Sequence, residues 1–148
     1  MSFRTLPPFI MAIILSATLF SAHAADTAAV IDYRQQTMKA ADGHLRAAKV
    51  MAVEGLRIPG HLESHAQSLE LLGNLLPGLF PEGSGGGESE AKGEVWSDPE
   101  GFMQAVDTYA EAVESFTRAA ELPGKAAMEG YYRVQEACKG CHKVFRSR

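Results

Sequence analysis

The sequence predicts an all-α fold, an antiparallel four-helix bundle. Apolar residues recur at three-, four- and seven-residue intervals along four stretches. No stretch shows the period-two alternation and β-branched enrichment of a strand. Breakers part the stretches: Gly55, Pro59 and Gly60, then Pro77 and Gly78, then Pro123 and Gly124.

Ahead of the first stretch lies a processing signal. Arg4 gives a positive start, Phe9 to Phe20 is mostly apolar, and Ser21-Ala22-His23-Ala24 ends in the A-x-A pattern of a signal peptidase site. Residues 1–24 are expected to be a secretory signal peptide. Residues 25–148 are then a single domain, 124 of the 148 residues. A retained anchor is the alternative, although the run is shorter than the ~20 apolar residues a span needs. Without Arg4 the balance is 13 basic against 18 acidic side chains. That acidity argues against a nucleic-acid partner, because phosphate binding wants a basic patch.

The first helix is expected from Thr27 to Glu54, with Asp26 or Thr27 as its cap. Ile31, Met38, Leu45 and Ala52 stand seven apart, and Val30, Ala41, Ala48 and Met51 widen the stripe. Gly43 interrupts it at a cost of up to ~1 kcal/mol. The second helix is expected from His61 to Leu76, with Leu62, Ala66, Leu69 and Leu72 on its apolar face. Gly73 within it either permits a close approach or only weakens the helix. Residues 78–95 then read as a solvated connector, with Trp96 folding back as a core anchor.

The third helix has a capping-box pattern in Ser97 and Glu100, with Pro99 in its first turn. Phe102, Val106, Tyr109, Val113, Phe116 and Ala119 form its stripe. The fourth helix covers Lys125 to Phe145. It aligns Tyr131, Val134, Cys138, Cys141 and Phe145 along one side.

The only two cysteines are Cys138 and Cys141, and His142 follows. The C-x-x-C-H spacing is that of a c-type haem attachment site. Two thiols one helical turn apart can add across the two vinyl groups of the porphyrin, and the imidazole can bind the iron. A redox dithiol is the rival, but a thioredoxin-like pair belongs in a βαβ context that this chain lacks. Metal binding or a plain disulfide remain as lesser alternatives. The residues alone leave the opposite axial position among Met38, Met51, Met103, Met128, His44, His61 and His65. His61 and His65, one turn apart, could bind a metal or simply be solvated. Arg34, one turn before Met38, could meet a haem propionate or be a surface charge. No Ser-His-Asp pattern, phosphate-binding glycine loop or H-E-x-x-H is present, and no enzyme activity is expected.

Three stretches resemble the class II c-type cytochromes, the family of cytochrome c-prime and its low-spin c-556 relatives. CKGCHKVFR, Cys138 to Arg146, is similar to the family's C-terminal C-K-x-C-H-x-x-[FY]-R. YRQQTMKA, Tyr33 to Ala40, resembles its early R-Q-x-x-[LM] stretch. Leu79 to Trp96 resembles its Pro/Gly-rich connector ending in an apolar residue and Trp. The resemblance implies a four-helix bundle with one covalent haem c. Cys138 and Cys141 match the thioether cysteines, His142 the proximal ligand, Met38 the distal residue and Arg34 the arginine near a propionate.

The implied function is periplasmic one-electron transfer, with iron six-coordinate between His142 and Met38 and with redox proteins as partners. One alternative is a five-coordinate, high-spin site that binds NO or CO. A non-haem metal-binding bundle is the other. A homodimer through the first two helices is a further possibility the resemblance carries.

Overall fold

The computed structural model describes residues 15–122 and 124–147, with side chains from residue 26 onward. The expected leader therefore lies partly outside the described residues, and its Arg4 wholly so. Helix α1 spans Leu15–Ala52, α2 His61–Gly73, α3 Glu94–Ser97, α4 Pro99–Ala120 and α5 Lys125–Phe145. No strand occurs among the described residues; one isolated antiparallel bridge joins Ala91 to Arg146. α1 packs on α2, α2 on α4 and α4 on α5, and a sparser α5–α1 seam closes the ring.

The helices follow the apolar periodicity closely, with local exceptions. α1 begins well before Thr27, because residues 15–42 contain no glycine or proline and several alanines. Asp26 and Thr27 thus lie inside the helix rather than capping it. α2 stops at Gly73, and a short 3-10 turn at Leu76–Gly78 replaces its expected end. Pro77 explains this, since it has no N–H to donate to Gly73 O and its ring crowds that carbonyl.

A second proline moves the cap of α4 from Ser97 to Asp98, because the residue before a proline is driven out of the α region. Asp98 precedes Pro99 and leaves the helical region (φ −129°, ψ 67°), and its carboxylate accepts a hydrogen bond from Gly101 N at 3.0 Å. Ser97 instead ends the four-residue α3. Along α4, Phe102, Val106, Tyr109, Val113 and Phe116 are buried as expected, but the last buried position is Ala120 rather than Ala119.

The core has two parts. The larger unites Ala48 and Met51 of α1, Leu62, Ala66 and Leu69 of α2, Tyr109, Val113 and Phe116 of α4, and Ala127, Tyr131 and Val134 of α5. The smaller, toward the end of α5, joins Val95, Phe102, Val106 and Phe145. Phe102 meets both Phe80 and Phe145 edge-on, at centroid distances of 5.0 and 5.4 Å. Two glycines allow close approaches. A Cβ on Gly73 would stand 2.6 Å from the Tyr109 ring, so this glycine serves contact. A Cβ on Gly130 would stand 3.1 Å from the Cα of Phe116, where α5 crosses α4.

The connector is not a free solvated strap. Leu79 and Ser84 are buried within it. Trp96 donates its indole N–H to the carbonyls of Phe80 and Pro81, at 3.1 and 3.2 Å, and its ring covers Gly85. Positive φ angles at Gly83 (79°) and Gly86 (92°) let the chain turn back on itself. Its last part reaches the C-terminus of α5, where Lys92 N bonds Phe145 O at 2.9 Å and Ser147 N bonds Glu90 O at 2.8 Å.

Candidate haem site

Cys138 and Cys141 lie one turn apart on α5, both half-buried and both free thiols. Cys138 borders the larger core cluster and Cys141 the smaller, so the pair straddles the junction between them. Burial pushes the Cys138 thiol up to about 11, with Cys141 adding to the shift. Burial raises Cys141 as well. A redox dithiol needs the opposite, a thiolate favoured by a helix N-terminus or a nearby cation. These thiols sit near a helix C-terminus, where the dipole disfavours negative charge. Their environment suits thiols consumed in thioether bonds better than a disulfide exchange centre.

His142 stands at the solvent rim in the last turn of α5. Burial of its inner side lowers its pKa, Arg146 lowers it further and Glu90 opposes. The ring therefore favours its neutral form, whose nitrogen lone pair is the one a metal takes.

Arg34 is only 4% exposed, so it is not a surface charge. Its Nη1 donates to Leu79 O at 3.1 Å and to Ser84 Oγ at 3.0 Å. Its Nη2 donates to Ser84 O at 2.9 Å and to Ser89 Oγ at 2.7 Å. The guanidinium also lies 4.8 Å from the centroid of the Phe80 ring. Every one of these partners is neutral, and burial lowers the Arg34 pKa. Its four Nη hydrogens are all taken by these acceptors, and no carboxylate among the described residues pairs with its charge.

The connector carries this link onward to α5. Beyond Ser89, the Glu90 carboxylate accepts from Arg146 Nε at 2.7 Å, beside His142. Met38 lies one turn after Arg34, half-buried and in neither core cluster. Asp42, one turn further along α1, is close enough to raise the Cys138 pKa. Arg34, Met38 and Asp42 share one side of α1, and α1 meets α5 across the sparsest seam of the bundle.

The other ligand candidates are placed differently. Met51 is buried in the larger core cluster, and Met103 is exposed on α4. Met128 precedes Cys138 by ten residues, about 15 Å along the helix axis. His44 and His65 face each other, and His61 is exposed. Nothing in the sequence pointed to Ser84, Ser89 or Glu90, because serines and acids in a glycine-rich connector look generic.

The residues present fit a haem on two observations. Two thiols and an imidazole share one end of α5, and a buried guanidinium has no carboxylate partner among the described residues.

Comparison with known proteins agrees. The family model described as Cytochrome C' matches residues 29–146. Cytochrome c' of Rhodospirillum rubrum is 34% identical over 128 residues, covering 85% of this chain and 87% of that one. The crystal structure of cytochrome c' from Rubrivivax gelatinosus superposes with a TM-score of 0.73 at 28% identity, covering 80% of this chain and 94% of that one. The nitric oxide complex of a variant cytochrome c prime from Alcaligenes xylosoxidans has the same fold, with a TM-score of 0.74 at 22% identity over 82% of this chain and 96% of that one. On its fold, its attachment turn and these likenesses, the chain belongs to the cytochrome c' family of haem-binding electron carriers, which hold one covalent c-type haem.

Proposed function

We propose that this is a periplasmic haem protein with one axial position of its iron open to a small diatomic gas such as NO. Cys138 and Cys141 would hold the cofactor through two thioether bonds, each S–H adding across a vinyl group. His142 would give the iron an imidazole nitrogen from α5. Met38 would serve as an apolar lid and Arg34 would offset a propionate charge. A bound haem supplies a one-electron iron couple and, where an axial position is free, a place for a diatomic ligand. Neither role needs an acid–base pair, so no enzyme chemistry is assigned.

The observation that carries the open-site reading is likeness along the chain. The relatives matched over most of both chains are cytochromes c', and the fold relative from Alcaligenes xylosoxidans was solved with nitric oxide. Export rests on the A-x-A site at Ala22 to Ala24. Cleavage there would free residues 25–148 as the working domain and bring Asp26 and Thr27 to the start of α1. No helix among the described residues is long and apolar enough to cross a membrane.

Absorption spectra of the oxidised and reduced protein, with and without CO, test the reading. A high-spin spectrum with ready CO binding to the reduced form is the expected result. A low-spin spectrum, a thioether-to-iron band in the red and refusal of CO would establish the six-coordinate His142/Met38 carrier instead.

A further inference from the structure

His44 of α1 and His65 of α2 bring their Nδ1 atoms to 3.0 Å across the helix seam, with ring centroids 5.2 Å apart and planes tilted by 59°. The family assignment gives these side chains no task, and they belong to neither core cluster. Two nitrogen ligands on one tetrahedral zinc ion, each at about 2.0–2.1 Å, stand about 3.3–3.4 Å apart. The observed separation is a few tenths of an ångström short of that bite. Metal binding would replace this ring-to-ring hydrogen bond and rotate two half-buried rings so that both lone pairs turn to one point.

A third imidazole is near. His61 stands four residues before His65 on α2, the spacing that puts two side chains on one helix face. It is exposed at the start of the helix. As they stand, no three candidate donors converge among the described residues, so the third ligand has to swing in. Its exposure also supplies the entry path from solvent that a site between two helices requires.

We propose that His44, His65 and His61 form a second metal site, separate from the haem, that takes Zn(II) or a similar borderline divalent cation and clamps α1 to α2. Three imidazoles with a water in the fourth position make an open tetrahedral zinc set. Ligands drawn from two helices couple binding to the bundle, so the metal raises resistance to unfolding.

The test is a Zn(II) titration of the haem-loaded protein against a chromophoric chelator. Zn(II) is redox-inert, and the haem spectrum reports folding in every sample. One Zn(II) per chain is expected, with a higher thermal midpoint. His44→Gln and His65→Gln should each weaken binding by more than roughly tenfold, since even partners of metal ligands are worth ten- to a hundredfold. His61→Gln should weaken it too, while leaving the His44–His65 contact in place. Absence of saturable binding, or equal binding in His44→Gln, would overturn the site; unchanged binding in His61→Gln would overturn the three-imidazole set. If His65→Gln loses its haem spectrum, His44→Gln alone decides.

Discussion

Arg34 grips Ser84 twice, through Nη1 to the hydroxyl at 3.0 Å and through Nη2 to the carbonyl at 2.9 Å. The two residues are 50 apart in sequence, and both are buried. Arg34→Ala should therefore release the connector and leave buried oxygens unpaired, at a cost of roughly 3–5 kcal/mol. Arg34→Lys should recover only part of that, because a compact ammonium cannot span Leu79 O, Ser84 and Ser89 as the planar fork does. Urea unfolding measures the loss. Limited proteolysis between Glu82 and Lys92 should speed up in both variants, and unchanged cleavage there would mean the guanidinium does not hold the connector.

That grip also marks the limit of what the chain discloses in advance. The stripes of α4 and α5 are local patterns, and so is CKGCH, where a one-turn spacing states the chemistry. The cap at Asp98 was equally local, since Pro99 favours the first helical position, but the capping-box pattern of Ser97 and Glu100 competed with it. The partners of Arg34 and the meeting of His44 with His65 depend on how separate helices and the connector pack. Ser84 and Ser89 could not announce themselves, because their role depends on a guanidinium some fifty residues upstream.

Two glycine-to-alanine changes should act in opposite directions. Gly130 lies where α5 crosses α4, and an added methyl would meet the Phe116 ring at 3.0 Å and its backbone at 3.1 Å. The backbone cannot swing aside, so Gly130→Ala should cost about 1–3 kcal/mol. Gly43 sits inside α1 with open space around it. Gly43→Ala should stabilise by up to ~1 kcal/mol through helix propensity alone. Denaturant midpoints of the two variants against the parent check both signs together.

Tyr109 gives the fold an alkaline weakness. Its hydroxyl donates to Leu69 O at 3.0 Å from inside the core, and burial drives its pKa well above the ordinary phenol value of 10. Below pH 10 the folded and unfolded chains both keep the proton, and this group adds no pH dependence. Above pH 10 the unfolded chain releases it first, so the folded state binds more protons and stability falls as pH rises. Tyr109→Phe should lose about 1 kcal/mol at neutral pH, for one hydrogen bond, and should show a shallower decline above pH 10. Parallel slopes for parent and variant would mean that other groups, such as the raised phenol of Tyr131, dominate that range.

On the proposed gas-binding reading, Met38 is the side chain that covers the open face of the haem. It is half-buried, one turn from the anchored Arg34, and belongs to neither core cluster, so its removal disturbs little packing. If its sulfur stays off the iron, Met38→Ala should leave the spin state unchanged and remove only bulk from the face a gas must reach. CO should then bind the reduced protein faster, by about tenfold, the scale on which an apolar pocket discriminates a small change in side-chain size. Met38→Leu, which restores the bulk without the sulfur, should return CO binding to the parent rate. A low-spin parent that turns high-spin in both variants would instead make the sulfur a ligand, because only loss of a bound thioether changes the spin state while the bulk is kept.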